Sequence, residues 1–161
     1  MAIEKVKAYF KQFDMEDQVL EFDTSSATVE LAAQALGCEP ARIAKTLSFR
    51  KDDGCLIVVM AGDAKIDNKK FKQKFAMKAR MLSAEEVDTL VGHSIGGVCP
   101  FAINENIPVY LDESMRRFET VFPACGSGNS AIELTCEQLE KYSNSLEWVD
   151  LCKGWQETAE E

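Results

Sequence analysis

The sequence predicts a single compact α/β domain with a mixed, curved β-sheet and flanking helices. Candidate helices and strands interleave without the strict strand–helix–strand rhythm of a doubly wound parallel sheet. Several strands also follow one another through tight turns, and 161 residues are enough for one domain with a sizeable core. We therefore assign the domain to residues 1–155 and expect an acidic tail, "QETAEE", at residues 156–161.

The first part of the chain predicts helices separated by a short strand. Ile3, Val6 and Phe10 recur at helical spacing and predict an N-terminal amphipathic helix. A short strand, "QVLEFD", precedes a second helix, "ATVELAAQALG", whose C-terminus Gly37 is expected to cap. Pro40 fits the first turn of a further short helix, "PARIA".

The middle of the chain predicts a hairpin followed by two capped helices. The segment "KTLSFRKDDGCLIVVMAG" is typical of two strands joined by a turn at residues 52–54. Asp67 is placed to cap a helix that turns its phenylalanines inward and its lysines outward. Ser83 and Glu86 form a capping-box pattern at the start of "AEEVDTL".

The last part of the chain predicts three strands and one helix. "PVYL" and "FETVFPA" are strand candidates, and "GSGNS" is a turn that leads into a third strand, "AIEL". Thr135 and Gln138 repeat the capping-box pattern before the helix "CEQLEKY". The order of elements stays irregular to this point, which again favours a mixed sheet.

Composition and charge exclude several classes of protein. No apolar run approaches the ~20 residues that a membrane-spanning helix needs, and the start of the chain lacks the apolar core of a signal peptide. Six scattered cysteines without a C-x-x-C pair predict free, mostly buried thiols in a reducing compartment. A net charge of −9 argues against indiscriminate binding to DNA or anionic membranes. We therefore expect a cytoplasmic protein with neither DNA nor membrane as a partner.

One basic segment departs from this acidic background. Between residues 65 and 80, "KIDNKKFKQKFAMKAR", seven basic residues accompany a single acidic one. A local basic stripe on an acidic body suits selective contact with one polyanion, although composition by itself more often indicates a solvated helix face. The lysines expected to contact RNA are Lys69, Lys70, Lys72, Lys74 and Lys78.

The segment "HSIGGVCPFA", residues 93–102, contains the only histidine of the chain, a glycine pair, a cysteine and a proline. Zinc needs three or four converging ligands, so one histidine among scattered cysteines predicts no metal, and no nucleotide-cofactor motif is present. A thiol hydrolase needs a cysteine beside a base. His93 and Cys99 are close in sequence with their orientation open, so a cysteine-dependent hydrolase stays an alternative.

Gly96 and Pro100 form a G-x-x-x-P spacing in this segment. Glycine permits backbone angles closed to other residues, and proline fixes φ and removes a donor. Such a loop can direct carbonyl oxygens into a cavity, where they orient water or accept from an ammonium group. Lys45 is a second unusual feature, because it shares one face of a strand with Leu47 and Phe49. A lysine there either extends to water or is held in a pocket for function.

Four segments resemble the YbaK/prolyl-tRNA editing domain family in order and spacing: "GCEPARIAKTLSF", "VVMAGDAKID", "GHSIGGVCPFA" and "GSGNSAIELT". The resemblance covers the chain from about residue 20 to residue 142. It implies a compact mixed α/β fold that hydrolyses the ester of a mischarged tRNA without metal or cofactor. No synthetase domain accompanies these segments, so we expect a free-standing aminoacyl-tRNA deacylase, either monomeric or homodimeric.

The resemblance also implies roles for individual residues. Lys45 matches the essential lysine of the family, which is thought to bind the tRNA end or the reacting group. Gly96 and Pro100 match the loop whose backbone positions water and substrate. Leu20 stands where some relatives carry a tyrosine, and the later turn lacks the basic residue or histidine of others. The residues expected to border the substrate are Leu20, Thr46, Gly97, Gly126, Ser127, Gly128 and Asn129.

The expected substrate is a small amino acid on the tRNA for proline. The turn "GSGNSA" brings only small side chains to the expected pocket rim, and Leu20 offers no hydroxyl there. The nearest branches of the family act on the tRNA for proline, so we expect that tRNA with alanine or cysteine attached. Alanine comes first because no thiol-selective group is visible. Prolyl-tRNA synthetase is the expected protein partner. A non-catalytic binder of aminoacyl-tRNA or of a synthetase is the second alternative.

Overall fold

The computed structural model describes residues 2–94 and 96–155, and this part contains five helices and ten strands. The helices are α1 (Ala2–Lys11), α2 (Val29–Leu36), α3 (Asn68–Phe75), α4 (Ala84–Glu86) and α5 (Cys136–Ser143). The strands are β1 (Leu20–Glu21), β2 (Ile43–Lys51), β3 (Gly54–Ala61), β4 (Lys65–Ile66), β5 (Val109–Asp112), β6 (Thr120–Pro123), β7 (Ser130–Ala131), β8 (Leu134–Thr135), β9 (Glu147–Val149) and β10 (Cys152–Lys153). Turns of 3₁₀ helix occur at Glu16–Gln18, Pro40–Arg42 and Glu113–Arg117, and a π-helical turn, Val87–Val91, continues α4.

A curled six-stranded mixed sheet organises the domain, with the strand order β8-β6-β2-β3-β5-β9. Strands β2 and β3 form an antiparallel hairpin, and β8 is antiparallel to β6. The other three neighbours, β2 with β6, β3 with β5 and β5 with β9, are parallel. Two short antiparallel pairs, β1 with β7 and β4 with β10, lie outside this sheet. The predicted mixed α/β domain with a curved sheet is confirmed.

The β2–β3 hairpin forms the centre of the core. Its strands pair residue by residue up to Lys51 and Gly54, so the turn consists of Asp52 and Asp53 alone. Asp52 has a φ of 53°, the left-handed conformation that two-residue hairpin turns require. The predicted hairpin is confirmed, with Gly54 in the strand instead of the turn. All of β3 after its first residue is buried, which explains why it is a continuous apolar run in the sequence.

Helices cover this sheet with the faces that their apolar spacing predicts. Val6 and Phe10 of α1 are fully buried, and the Phe10 ring centroid lies 4.8 Å from that of Phe101 in an edge-to-face arrangement. Phe71 of α3 is also fully buried, with its ring centroid 4.8 Å from that of Phe49. The N-terminal helix and the basic helix are therefore both anchored through phenylalanine.

The predicted helix N-caps are confirmed. Asp67 accepts hydrogen bonds from the first backbone N–H groups of α3, at 3.0 and 3.2 Å. Ser83 with Glu86, and Thr135 with Gln138, form reciprocal capping boxes at the starts of α4 and α5. These caps depend on residues three positions apart, which explains why local sequence is enough to identify them.

Three predicted elements are wrong in type or extent. Only Leu20–Glu21 of "QVLEFD" is a strand, and Gln18 ends a 3₁₀ turn. The segment "PARIA" is a 3₁₀ turn that ends at Arg42, because Ile43 already pairs with Phe122 in the sheet. The segment "AIEL" is not one strand, since Ser130–Ala131 pairs with β1 whereas Leu134–Thr135 pairs with β6. Strands β4, β9 and β10 have two or three residues each, too few to show an alternating pattern in the sequence. The expected acidic tail lies outside the described residues.

All six cysteines carry free thiols, which confirms the prediction from their spacing. Four of them are buried and two are partly exposed. Burial is the main cause that raises the pKa of each of these thiols above its ordinary value. None of the helices between residues 2 and 155 that the structure describes is both long and apolar enough to cross a bilayer.

Candidate active site

A cavity of about 260 Å³ opens beside the middle of β2. Its wall comes from the segments around α2, β2, residues 81–87, the glycine loop (residues 96–100) and β6–β7. The lining combines small side chains with larger apolar ones such as Leu47, Leu82 and Phe122. Its volume is below the ~300–1,000 Å³ of typical drug-sized ligand sites. The cavity therefore suits a small group attached to a larger molecule that stays outside.

The cavity lies at a gap in the pairing of β2, on the edge of that strand opposite β3. Other segments pair with this edge before and after the gap. Strand β6 pairs with residues 43–44 at the start of β2. Segment 80–82 covers the same edge farther along, at residues 48–50. Between them, residues 45–47 have no neighbouring strand on this edge in the described part of the chain, and all three line the cavity.

Lys45 lies in this gap with its side chain half buried. Its Nζ donates to the carbonyl oxygen of Gly62 at 3.4 Å, which leaves two N–H donors without a partner among the described residues. A Cβ at Gly62 would lie 2.2 Å from the carbonyl oxygen of Pro40, so this close packing fixes the carbonyl that Lys45 contacts. Burial lowers the pKa of Lys45, and the nearby carboxylate of Asp63 opposes that effect.

An ion pair holds the turn that carries this carbonyl. The Arg117 guanidinium donates to both carboxylate oxygens of Asp63, with one distance of 2.9 Å. Arg117 Nε also donates to the carbonyl of Ser114 at 2.8 Å, and the guanidinium lies 5.1 Å from the centroid of the Trp155 ring. The Gly62 carbonyl that accepts from Lys45 is therefore held in place, through Asp63, by Arg117 of the 3₁₀ turn after β5.

Gly96 lines the same cavity and has a φ of 98°, which residues with a Cβ seldom adopt. Its neighbour Gly97 packs against the later glycine turn, residues 126–129. A Cβ on Gly97 would lie 2.5 Å from the backbone nitrogen of Ser127. The Gly97 carbonyl accepts from the N–H of Gly126 at 3.0 Å. The two glycine segments therefore meet backbone to backbone.

The later glycine turn also holds the segment before α2. The Gly128 carbonyl accepts from the N–H of Ser26 at 2.6 Å. Asn129 exchanges two hydrogen bonds with Phe22: its carbonyl accepts from the Phe22 N–H at 2.8 Å, and its Nδ2 donates to the Phe22 carbonyl at 3.0 Å. The later glycine turn thus holds both the glycine loop and the segment before α2, and both of these contribute to the cavity wall.

Two buried hydroxyl groups belong to residues that line the cavity and have no hydrogen-bond partner in the described structure, Ser26 Oγ and Thr46 Oγ1. Ser26 is only 8% exposed. A buried hydroxyl without a partner costs about 1–3 kcal/mol, so a ligand that bonds to it recovers free energy. Sequence reasoning missed Ser26, because a serine in the polar stretch "DTSSAT" carries no signal of burial.

The structure brings Lys45, Thr46 and Gly96 together at one cavity. Pro100 lies elsewhere, because it lines a second, more polar cavity of about 340 Å³. The G-x-x-x-P spacing therefore does not bring its two ends to the same cavity. The backbone of residues 97–99 connects Pro100 to Gly96 in the wall of the first cavity.

The other residues expected to border the substrate lie next to the lining residues and not among them. Leu20 is 40% exposed and pairs across β1–β7 with Ala131, which does line the cavity. Gly97 and residues 126–129 support the wall through the backbone contacts described above. These residues therefore hold the cavity wall in position and do not themselves line it.

His93 and Cys99 touch but are not arranged for nucleophilic chemistry. The Cys99 Sγ lies 3.6 Å from His93 Nε2, and the same nitrogen lies 2.7 Å from the carbonyl oxygen of Phe101. A carbonyl only accepts, so Nε2 carries a proton and has no lone pair for the thiol. Burial raises the pKa of Cys99 to about 12, and neither residue lines the cavity. Within the described ranges, no group of three His, Cys, Asp or Glu residues is placed to hold a metal ion.

His93 predicts a pH dependence of stability. Burial is the main cause that lowers its pKa from 6.5, and the hydrogen bond to Phe101 opposes this shift. The unfolded chain therefore binds the proton more tightly, so the stabilisation is present above pH 6.5 and is lost as pH falls through the native pKa. We expect the free energy of unfolding to decrease between about pH 7.5 and 5.5, and His93→Gln to reduce that slope. Denaturant titrations across this range would show it, and an unchanged slope would assign the effect to other groups.

The basic segment between residues 65 and 80 separates into paired and unpaired lysines. Lys70 Nζ lies 2.9 Å from a carboxylate oxygen of Asp150, and Lys74 Nζ lies 2.9 Å from one of Glu147. Two of the five expected RNA contacts are therefore engaged within the protein. Of the five expected contacts, Lys69, Lys72 and Lys78 are exposed and have no ion-pair partner among residues 2–94 and 96–155.

The chain is similar to proteins of one family in sequence and in fold. The family described as "Aminoacyl-tRNA editing domain" matches residues 23–142. YwhH of Bacillus subtilis strain 168 is 55% identical over 157 residues, which cover 97% of this chain and 100% of that protein. The "Putative Cys-tRNA(Pro)/Cys-tRNA(Cys) deacylase EbsC" of Enterococcus faecalis strain ATCC 700802 / V583 is 26% identical, with 88% of this chain and 85% of that protein covered. The "Crystal structure of a putative trans-editing enzyme for prolyl tRNA synthetase" has a TM-score of 0.85 at 28% identity, covering 95% of this chain and 98% of that one.

Proposed function

The chain belongs to the aminoacyl-tRNA editing domain family, and from that premise we propose that it hydrolyses the ester bond of a mischarged aminoacyl-tRNA. The observation that carries the proposal is the gap in the edge of β2, where Lys45, Thr46 and Gly96 line one small cavity. An aminoacyl ester is already reactive, so the enzyme mainly has to orient a water molecule and stabilise developing charge. A fixed cation and free hydrogen-bonding groups meet that need without a nucleophilic side chain.

Each of these residues has a separate role in the proposal. Lys45 binds the terminal phosphate or the developing oxyanion, because its half-buried ammonium keeps free donors in a site of reduced dielectric. Gly96 contributes backbone to the wall and orients the attacking water. Pro100 restricts the far end of the glycine loop without contact to the substrate.

The exposed lysines of the basic segment are proposed to contact the RNA, and neutralising two of them tests this. Lys69→Gln combined with Lys72→Gln should weaken binding and reduce the log–log salt slope by about 1.4, since each lost contact on a single strand removes about 0.7. Binding titrations at several salt concentrations measure the slope. The paired lysines offer a matched control, because Lys70→Gln with Lys74→Gln removes charges that already face Asp150 and Glu147. Equal slopes for the two double variants would contradict the assignment.

The substrate proposed is a small amino acid on the tRNA for proline, with alanine ahead of cysteine. The cavity volume of about 260 Å³ supports this size limit. The name of EbsC includes Cys-tRNA(Pro), and that of the structural relative includes prolyl tRNA synthetase. Prolyl-tRNA synthetase is accordingly the partner we propose, as the enzyme that would produce the mischarged substrate.

A hydrolysis screen tests the function and the substrate together. Alanyl, cysteinyl, seryl and prolyl esters of the proline tRNA are presented, and kcat/KM is compared with and without prolyl-tRNA synthetase. We expect alanine to be released fastest and the correct prolyl ester at least about 10-fold more slowly, because each extra methylene changes the free energy by about 1–3 kcal/mol. Equal hydrolysis of the prolyl ester would contradict the small pocket. Tight binding without hydrolysis of any ester would favour a non-catalytic binder.

A further inference from the structure

Backbone groups along β2 alternate in the direction in which they point. In an antiparallel pair, alternate residues bond to the partner strand and the others turn their N–H and C=O groups to the opposite edge. Two hydrogen bonds identify the even-numbered residues of β2 as the outward set. The Arg50 N–H donates to the carbonyl of Arg80 at 2.8 Å, and the Leu82 N–H donates to the carbonyl of Ser48 at 3.2 Å.

Thr46 belongs to the outward set and lies in the gap of this edge. Pairing with β6 stops at Ala44, and pairing with segment 80–82 starts at Ser48. Neither the N–H nor the C=O of Thr46 has a backbone partner among residues 2–94 and 96–155, and its hydroxyl is also unpartnered there. Thr46 therefore presents a free donor and a free acceptor on the side where the cavity opens.

An aminoacyl ester carries an ammonium and a carbonyl on one α-carbon. It therefore offers a donor and an acceptor in the same arrangement as the N–H and C=O of a residue in a β-strand. We propose that the aminoacyl group pairs with Thr46 as a single residue of an antiparallel strand. Its ammonium donates to the Thr46 carbonyl, and its ester carbonyl oxygen accepts from the Thr46 N–H. This binding mode is the addition of a β-strand to a sheet edge, with a strand only one residue long. The inference rests on the proposed deacylase function.

The lining of the cavity is consistent with this binding mode. An α-ammonium needs acceptors, yet none of the described lining residues is an aspartate or a glutamate. The carbonyl of Thr46 supplies an acceptor without a counter-charge. Lys45, the preceding residue, lines the same cavity, and its side chain leaves the strand on the opposite face of the sheet from that of Thr46.

The hydrogen bond from the Thr46 N–H strengthens during hydrolysis. The oxygen of a water molecule attacks the ester carbonyl carbon, and the π electrons move onto the carbonyl oxygen, whose negative charge the N–H then stabilises. When the C=O bond re-forms, the bond to the ribose oxygen breaks. That oxygen leaves with the proton that the water gave up, so the products are the free amino acid and a tRNA with a free hydroxyl.

The test replaces the Thr46 N–H by an ester oxygen, through incorporation of the α-hydroxy analogue of threonine at position 46. Because this N–H has no described protein acceptor, the melting temperature should change little, whereas kcat for the alanyl ester should fall about 100-fold or more. The matched control is the same exchange at Arg50, on the same edge. That N–H donates to Arg80, so the control should lose stability and keep most of its rate.

The outcomes separate this proposal from the proposed function. If the unmodified protein hydrolyses the ester and the position-46 variant stays within about threefold of it, the pairing is overturned and the deacylase function stands. If the unmodified protein hydrolyses no aminoacyl ester, both fail. A stable amide analogue of alanyl-adenosine gives a second measurement, because binding should slow hydrogen exchange of the Thr46 amide. Unchanged exchange in the bound complex would also overturn the pairing.

Discussion

Lys45→Met should lower kcat/KM for a mischarged alanyl ester by about 100-fold or more, the usual loss when one electrostatic contact to the transition state is removed. The same variant should be at least as stable as the unmodified protein. Burial lowers the pKa of Lys45 in the folded state, so its charged form disfavours folding at neutral pH. Steady-state deacylation and thermal unfolding measure the two effects.

Two further measurements make this prediction specific to Lys45. Lys65→Met removes an exposed lysine whose charge also acts on Lys45, and it should leave kcat/KM nearly unchanged. In the unmodified protein, kcat/KM should fall at alkaline pH as the ammonium loses its proton, below the pH at which an ordinary lysine would titrate. A folded Lys45→Met variant with full activity would show that the cation is not needed.

Gly97→Ala should disrupt the junction of the two glycine segments. The new Cβ would lie 2.5 Å from the nitrogen of Ser127 and 2.6 Å from the carbonyl carbon of Gly126, so backbone has to move. Overpacking of this kind costs about 1–3 kcal/mol of stability. A displacement of about 1 Å near the reacting group can lower the rate about 100-fold. Denaturant unfolding and deacylation kinetics therefore both report on this contact.

Gly54→Ala is the matched control for this substitution. Its Cβ would meet no atom closer than the carbonyl oxygen of Lys51 at 4.0 Å, and Gly54 has no positive φ. It should therefore change neither stability nor rate by much. If Gly97→Ala behaves like Gly54→Ala, the loop and the turn can separate without effect on the site, and the support assigned to them is wrong.

The elements that local sequence predicts well are those that depend on neighbouring residues. The hairpin turn at Asp52 and Asp53 and the capping boxes are examples, because the residues that define them lie within a few positions of one another. The division of "AIEL" into two strands escapes prediction, because it depends on β1 and β6, which lie elsewhere in the chain. Similarly, the ion pairs of Lys70 and Lys74 involve acidic residues more than 70 positions away.

The candidate site was predictable to a different degree for each residue. Lys45 departs from the apolar pattern of its strand, so the sequence itself draws attention to it. Gly96 and Pro100 share a spacing in the sequence, yet the fold directs them to different cavities. The free backbone of Thr46 has no sequence signal at all, because it depends on where two distant segments stop pairing with β2.

The short gap in β2 also affects how the protein avoids self-association. An unpaired strand edge is a template on which another chain can add a strand, and long open edges lead to aggregation. Here β6 and segment 80–82 cover the edge on both sides, and within the described structure residues 45–47 alone lack a covering strand. Since a strand of ordinary length has about five residues, no foreign strand fits between these flanks. In the proposed pairing with Thr46, the same restriction would exclude a peptidyl chain and admit a single aminoacyl group, so tRNAs that carry nascent peptides would escape hydrolysis.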